Sequence, residues 1–192
     1  MRRLVHDAIL PSAIAIALAF VIQASVAKPY EIPTESMVPT IEANDRIIAN
    51  RLIYRLRDPR RGDVIVFNPP QAAIDECRPP AGVPFVKRVI GLPGDRIEIR
   101  RRDVLVNGIP YDVPAAIKPN PLGGDERPQV FPVVPKGHLF VLGDNRPYSC
   151  DSHQWRSSPV PDPRTDPFVP EANIIGQAEG TYWPISRARF LD

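Results

Sequence analysis

The pattern of hydrophobic positions separates one long apolar segment near the N-terminus from a series of short apolar runs. Residues 8–27 carry no charge, and only Pro11, Ser12, Gln23 and Ser25 among these 20 residues are not apolar. A helix of this length reaches about 30 Å, the thickness of the hydrocarbon core of a bilayer. The pattern therefore predicts a single transmembrane helix at residues 8–27.

The charges beside this segment predict its orientation. Arg2 and Arg3 precede it and only Lys28 follows closely, so the positive-inside rule places residues 1–7 in the cytoplasm and residues 28–192 on the outer side of the plasma membrane. The alternative is a cleaved secretory signal, because the segment ends in small residues that a processing enzyme accepts. The apolar stretch is longer than the 7 to 15 residues or so that such signals carry, which favours a membrane anchor.

The short apolar runs that follow are separated by turn signals and predict β-strands. They lie at residues 46–49, 64–67, 85–90, 96–100, 104–106 and 138–142. Asn107-Gly108 is a strong signal for a two-residue hairpin, since such turns need positive φ at both central positions. We therefore expect a mainly β fold, with one domain at residues 28–192 that carries an inserted hairpin and loop subdomain at about 98–135.

Proline is the unusual component of the chain. It accounts for 25 of 192 residues, and because prolines end helices, long helices after the N-terminal segment are not expected. The three proline-rich stretches at residues 68–84, 110–135 and 159–170 are predicted to be long extended loops.

Charge and metal-ligating residues exclude several classes of function. The net charge is +2 and the charged residues of both signs are interspersed, so no nucleic-acid partner is expected. The three histidines and two cysteines lack the spacings of metal sites. We therefore predict neither a metal nor any other cofactor.

One serine is held in a conformation that would suit a nucleophile. Ser36 lies between Pro33 and Pro39 and follows the predicted anchor by nine positions. The prolines keep the backbone out of helix and central sheet, and nine extended residues reach at most about 30 Å, so Ser36 would lie close to the membrane. The alternative is an ordinary turn serine.

One lysine interrupts an apolar strand. Strand alternation places Lys87 on the same face as Phe85 and Val89. If that face points inward, burial disfavours the ammonium and lowers its pKa toward that of a general base. The alternative is an edge lysine whose amine reaches solvent.

The segments that contain these two residues belong to a longer series of motifs. The series is Thr-Glu-Ser-Met-Val-Pro-Thr at 34–40, Arg-Gly-Asp-Val-Ile-Val-Phe at 61–67, Phe-Val-Lys-Arg-Val-Ile-Gly-Leu-Pro-Gly-Asp at 85–95, Gly-Asp-Asn-Arg at 143–146 with Ser149, Asp151 and Ser152, and Phe-Val-Pro-Glu-Ala-Asn-Ile-Ile-Gly at 168–176. In this order the motifs resemble the motif boxes of bacterial type I signal peptidases. The resemblance implies a β-rich catalytic domain with a serine-lysine dyad.

The same resemblance implies a role for each matching residue. Ser36 would be the nucleophile and Lys87 the general base. The backbone N–H of Ser36 and the hydroxyl of Thr34 would form the oxyanion hole, and Ser149 would orient the lysine. Asp144 and Arg88 match positions that are expected to pair near the site.

Two departures from the family pattern follow the fourth motif. His153 stands where the family usually has an arginine, which leaves open how Asp151 is paired near the site. Residues 156–167 form a proline-rich insertion, for which we expect a surface loop.

The resemblance also implies the substrate. Met37, Phe85 and Val86 would line shallow apolar pockets that admit only small side chains, so cleavage would follow Ala-x-Ala sites in the signal peptides of exported preproteins. We expect a monomeric serine endopeptidase that is embedded in the lipid bilayer. The alternatives are a related organelle or conjugation-type processing peptidase, and an inactive membrane-anchored β-rich binding module.

The two cysteines complete the expectations that depend on this resemblance. If Lys87 and Ser149 are neighbours, the loop with Cys77 can approach Cys150, which follows Ser149 directly. Both cysteines lie on the oxidising side of the membrane in the predicted topology. We expect a Cys77–Cys150 disulfide, and the alternative is two free thiols.

Overall fold

The computed structural model describes residues 9–15, 26–100, 103–112, 128–155 and 166–191. After the N-terminal segment, this part of the chain contains twelve strands, two short α-helices and three short 3-10 helices. The strands are β1 (Ala27–Glu31), β2 (Arg46–Asn50), β3 (Val64–Phe67), β4 (Phe85–Gly91), β5 (Ile97–Arg100), β6 (Asp103–Val106), β7 (Ile109–Pro110), β8 (Gln129–Val130), β9 (His138–Leu142), β10 (Val169–Pro170), β11 (Ile174–Trp183) and β12 (Arg189–Phe190). The expectation of a mainly β fold is confirmed.

A large antiparallel sheet forms the centre of the molecule. Its strand order is β1-β2-β11-β3-β4-β9-β10, and β12 pairs with β11 on the edge opposite β2. The pairing register of β11 shifts on both of its edges, at residues 174–176 against β3 and at 178–183 against β2. Because such irregularities increase local twist, the sheet is curled.

The six predicted strands are confirmed to within a residue or two, and β11 is the longest of the strands that were not predicted. This ten-residue strand contains Gly176 and Gly180, which resemble turn signals in the sequence. In the fold they permit close backbone contact, since a Cβ at Gly176 would lie 2.3 Å from the carbonyl oxygen of Asn50 and one at Gly180 2.7 Å from that of Arg189.

The prediction that residues 68–84 form an extended loop is wrong. Helix α1 spans Ile53–Leu56, and helix α2 spans Gln71–Cys77 within that stretch. Prolines flank α2 without interrupting it, with Pro70 at its N-cap, and the helix ends at Arg78 with a φ of 47°. Proline density therefore limited helix length here but did not prevent a helix.

The other two proline-rich stretches are described only in part. β8 lies inside 110–135 and β10 inside 159–170, so neither stretch is an extended loop throughout. Residues 113–127 and 156–165 lie outside the described part of the chain, and with them most of the expected surface loop at 156–167.

The small sheet contains the predicted hairpin. Its strand order is β7-β6-β5-β8, and the turn between β6 and β7 has positive φ at both Asn107 (55°) and Gly108 (81°). A cluster of buried side chains joins this sheet to β4 and β9 of the large one, with Ile97 and Phe140 fully buried in it. The hairpin is thus fixed rigidly to the body that carries the site.

The predicted membrane span falls mostly outside the described residues. Residues 10–15 are helical and exposed, while residues 16–25 are not described. Within the ranges that the structure describes, no helix combines the length and the apolar character needed to cross a bilayer. The anchor at residues 8–27 stays a prediction.

Candidate active site

Ser36 lies on a tight turn that connects β1 to β2. The turn is closed by backbone hydrogen bonds from Val38 N–H to the Glu35 carbonyl and from Ile41 N–H to the Met37 carbonyl. Met37 and Ile41 are fully buried in the core, so their packing fixes the turn that carries the serine. Ser36 itself is 8% exposed.

Lys87 lies in the middle of β4 and faces this serine. Its backbone position is set by pairing with Ile65 of β3. The Nζ atom of Lys87 lies 2.8 Å from Oγ of Ser36, within hydrogen-bond distance. The two candidate residues, 51 positions apart in sequence, are therefore in direct contact.

Burial sets the protonation state of the lysine. Lys87 is 4% exposed, and loss of hydration lowers its pKa from 10.5 to about 8, against an opposing effect of the negative charges on Asp151 and Asp144. About a tenth of the Lys87 amine is therefore neutral at pH 7, whereas an ordinary lysine is almost fully protonated. The alternative of a solvent-exposed edge lysine is wrong, because its amine is enclosed.

Thr34 provides a second hydroxyl at the nucleophile. Its Oγ1 donates to Oγ of Ser36 at 3.3 Å. The arrangement thus contains a nucleophilic oxygen, an adjacent amine with a lowered pKa, and a hydroxyl donor two residues before the serine. These are the components of covalent acyl transfer.

A cavity of about 300 Å³ opens beside Ser36 and Lys87. Its walls are mainly apolar and come from residues 30–34, 77–80 and 83–87, together with Ser36, Val66, Tyr148 and Cys150. Phe85 and Val86 lie on it as expected. Met37 does not line it, because its side chain is fully buried in the core below the turn; its predicted role in a substrate pocket is not supported.

Arg88, the next residue of β4, forms a buried ion pair with Asp144. Nε and Nη2 of Arg88 donate to the two carboxylate oxygens at 2.9 and 2.8 Å. Burial alone would lower the pKa of Arg88, but the hydrogen bond and the charge of Asp144 raise it overall. Thr40 also donates to Asp144, which connects the turn of Ser36 to this pair.

Asn145, for which the sequence predicted no role, directly contacts the turn that carries Ser36. Its backbone N–H donates to the Ser36 carbonyl at 3.0 Å, and its side-chain amide donates to the Glu35 carbonyl at 2.9 Å. The only sequence signal was its presence in the Gly-Asp-Asn-Arg segment, since Gly, Asp and Asn in succession otherwise indicate just a turn.

Asp151 is paired with His153, the residue that departs from the family pattern. Nδ1 of His153 lies 2.6 Å from Oδ1 of Asp151, and Gly143 N–H donates to Oδ2 at 2.8 Å. Burial would raise the pKa of Asp151, but His153, followed by the Gly143 N–H and Ser149, lowers it overall. The histidine therefore supplies the partner that the sequence left open.

Ser149 lies beneath the site without the hydrogen bond that its predicted role requires. Its Oγ is buried and has no partner of normal hydrogen-bond geometry among the described residues, although it is close enough to Asp151 to lower the pKa of that carboxyl. The hydrogen bond found for the Lys87 amine goes to Ser36. The orienting role of Ser149 stays a prediction.

The expected disulfide is confirmed. Cys77 and Cys150 are bonded, and their Cα atoms lie 5.9 Å apart. The bridge joins the end of α2 to the residue after Ser149, and both cysteines lie on the cavity wall. Trp155 packs behind it and donates from Nε1 to Sγ of Cys77 at 3.2 Å. Within the described ranges, no three side chains of His, Cys, Asp or Glu are grouped to hold a metal ion.

Comparison with known proteins identifies the family of the chain. The chain matches the family described as signal peptidase, peptidase S26, over residues 5–183. It is 39% identical to a signal peptidase I from Leptolyngbya laminosa over 91% of this chain and 77% of that protein. A probable signal peptidase I-2 from Synechocystis is also 39% identical, over 92% of this chain and 72% of that protein. A solved signal peptidase I from Enterococcus faecalis is 30% identical, with a TM-score of 0.45 and coverage of 63% of this chain and 97% of that one.

The chain belongs to the signal peptidase family, peptidase S26. It is a hydrolase of the class that removes signal peptides, and the resemblance of its motif boxes to that family is confirmed.

Proposed function

We propose that this protein is a serine endopeptidase that cleaves signal peptides from exported preproteins with Ser36 and Lys87 as its catalytic dyad. The observation that carries the proposal is the 2.8 Å contact between Oγ of Ser36 and Nζ of a buried lysine whose pKa is lowered to about 8. A lysine with this pKa accepts a proton at neutral pH, which an ordinary surface lysine does not.

The reaction proceeds through an acyl-enzyme. As Oγ of Ser36 attacks the scissile carbonyl carbon, the neutral Nζ of Lys87 takes the hydroxyl proton. The ammonium then gives this proton to the leaving amine as the carbon–nitrogen bond breaks. A water molecule loses a proton to Lys87, attacks the ester carbonyl and releases the new carboxylate, and Ser36 recovers its proton.

Charge on the carbonyl oxygen is stabilised beside the nucleophile. The Ser36 N–H and the Thr34 hydroxyl are the donors in this proposal. The 3.3 Å contact between Oγ1 of Thr34 and Oγ of Ser36 supports it, because it holds the threonine hydroxyl at the reacting oxygen.

Pairing with a strand edge would hold the substrate in the cavity. β4 pairs with β3 along residues 85–88, whereas its described pairing with β9 starts only at Arg88. The other edge of residues 85–87 is thus open to an extended peptide, which can add as a strand. The apolar walls contributed by Phe85 and Val86 favour small side chains before the cleaved bond, as at Ala-x-Ala sites.

We further propose that residues 8–27 anchor a monomer in the plasma membrane by a single span, with residues 1–7 in the cytoplasm and the catalytic domain at 28–192 outside. The uncharged 20-residue stretch and the two arginines before it support this topology. The start of β1 at Ala27 also supports it, because the sheet then begins where the anchor ends.

Cleavage of a preprotein tests the proposal. The detergent-solubilised full chain is incubated with a preprotein whose signal ends in Ala-x-Ala, and the new N-terminus is sequenced. Cleavage after the second alanine by the wild-type chain, and none by a Ser36→Ala variant, is the expected result. Binding without cleavage would favour the inactive binding module, and equal cleavage by both proteins would exclude Ser36 as the nucleophile.

A further inference from the structure

One residue holds two consecutive peptide groups of the nucleophile turn. Asn145 donates from its side chain to the carbonyl of Glu35 at 2.9 Å and from its backbone to the carbonyl of Ser36 at 3.0 Å. We propose that Asn145 is a positioning residue that sets the direction of the Ser36 N–H and thereby builds the backbone half of the oxyanion hole. This inference rests on the proposed function.

The geometry of the peptide group connects Asn145 to that N–H. The carbonyl of Glu35 and the N–H of Ser36 belong to the same planar trans amide and point in opposite directions. A donor that fixes the carbonyl oxygen therefore fixes the N–H as well. Rotation of this amide would turn the Ser36 N–H away from the substrate while Oγ stayed close to Lys87.

The local hydrogen bonds show why a second donor is needed. Val38 N–H also donates to the Glu35 carbonyl, at 3.1 Å, but Val38 belongs to the same turn and moves with it. Asn145 lies 110 positions away in sequence and reaches the turn from the end of β9. The hydrogen bond from Asn145 therefore fixes the Glu35–Ser36 amide relative to the rest of the fold.

Asn145 is itself held firmly. It is 9% exposed, and it follows Asp144, which is bonded to Arg88 and Thr40. Two residues before it, Gly143 N–H donates to Asp151 and the Gly143 carbonyl accepts from Nε of Arg146. A Cβ at Gly143 would lie 2.5 Å from the Ser36 carbonyl oxygen, so the two segments are in close contact. Because this network fixes Asn145, Asn145 can in turn fix the orientation of the peptide groups to which it donates.

The same bond affects the strength of the donor. An amide whose carbonyl accepts a hydrogen bond is polarised, and its N–H becomes a stronger donor. The effect matters most for the negatively charged oxygen of the tetrahedral intermediate and little for a bound, unreacted peptide. Asn145 should therefore influence kcat far more than KM.

Two substitutions separate the side-chain bond from the backbone bond. Asn145→Ala removes the side-chain donor, and Asn145→Asp keeps the shape but replaces the donor with an acceptor. Both retain the backbone N–H. We expect kcat to fall about 10- to 100-fold, less than the 10²- to 10³-fold or so for outright loss of an oxyanion donor, with KM changed less than about twofold.

Asn173→Asp is the matched control. Its side-chain amide also donates to a backbone carbonyl, that of Asn68, at 3.0 Å, but it contacts neither Ser36 nor Lys87. The control should keep the wild-type kcat.

A peptide boronic acid supplies the readout that a general loss of structure would not give. Oγ of Ser36 forms a bond to boron, its proton passes to Lys87, and the resulting tetrahedral anion places an oxygen in the oxyanion hole. Affinity for this adduct should fall about 10- to 100-fold in the Asn145→Ala variant, while affinity for the corresponding cleaved product peptide and the pH midpoint of activity stay unchanged.

The outcomes distinguish this inference from the proposed function. If wild-type protein forms no boronate adduct on Ser36, the dyad proposal fails and this inference fails with it. If the adduct forms and both Asn145 variants bind it as tightly as wild type, only the positioning role is wrong. Equal losses for the boronate and the product peptide would also overturn it, because they would indicate collapse of the cavity.

Discussion

The two faces of β4 carry neighbouring basic residues whose pKa values shift in opposite directions. Lys87 and Arg88 are 4% and 1% exposed, so both side chains are removed from water. Lys87 meets the hydroxyl of Ser36 and its pKa falls to about 8, whereas Arg88 meets both oxygens of Asp144 and its pKa rises. Burial is thus common to both, but an amine without an ionic partner can lose its proton, whereas a guanidinium paired with a carboxylate remains a cation.

Replacing the base with a permanent cation should have the largest effect. Lys87→Arg is expected to lower kcat/KM by at least about 10⁴-fold, because a guanidinium does not accept the proton of Ser36 near neutral pH. The measurement is steady-state cleavage of a signal-peptide substrate. Lys87→Met controls for the unpaired buried charge and should be equally inactive while remaining folded. Appreciable turnover by either variant would show that Lys87 is not the base.

Removing Arg88, the cation on the other face of β4, should lower the free energy of unfolding. Arg88→Met leaves the buried Asp144 without its ionic partner, and the free energy of unfolding is expected to fall by about 3–5 kcal/mol. Denaturant titration of the detergent-solubilised chain measures this. The double variant Arg88→Met/Asp144→Leu removes both charges and should recover much of the loss. If the double variant is no more stable than the single one, the ion pair is not the cause.

Thr34→Ala tests the proposed oxyanion hole, which lies on the side of β4 that carries Lys87. We expect kcat to fall about 10²- to 10³-fold with little change in KM, because one donor to the developing negative charge is lost. Stability should be nearly unchanged, since Thr34 is exposed. Rapid-mixing kinetics of the acylation step provide the measurement. An unchanged rate would mean that a different group donates to the carbonyl oxygen.

The pH dependence of activity and of stability should distinguish Lys87 on one face of β4 from Arg88 on the other. Activity requires the neutral amine, so it should rise with pH through a midpoint of about 8 and fall about tenfold for each pH unit below it. Because the unfolded chain binds more protons between pH 8 and 10.5, Lys87 should also make the folded state more stable as pH rises through that window. The Lys87→Met variant should lack that rise. A flat activity profile from pH 6 to 10, with chemistry limiting the rate, would contradict the assignment.

Sequence reasoning predicted Ser36 and Lys87 as a dyad through the resemblance of several motif boxes, since the local pattern around each residue left an alternative open. Six of the twelve described strands and the Asn107-Gly108 turn were predicted because their signals act within a few residues. β11 and α2 were missed because long-range packing overrides local signals: Gly176 lies against the backbone of Asn50, and α2 is held by the Cys77–Cys150 bridge. The role of Asn145 depends on a contact across 110 residues, which no local pattern encodes.

The separation of the site residues along the chain has a consequence for folding. Ser36 and Lys87 are 51 residues apart, and Asn145, which contacts the turn of Ser36, follows still later in the sequence. In a partly folded chain Lys87 is hydrated, retains the ordinary pKa of a lysine and is protonated near neutral pH, so it accepts no proton from a serine. Contacts of this range form late, when the sheet closes. In the proposed mechanism the chain therefore passes through synthesis with Ser36 and Lys87 in an inert form, and complete folding activates the dyad.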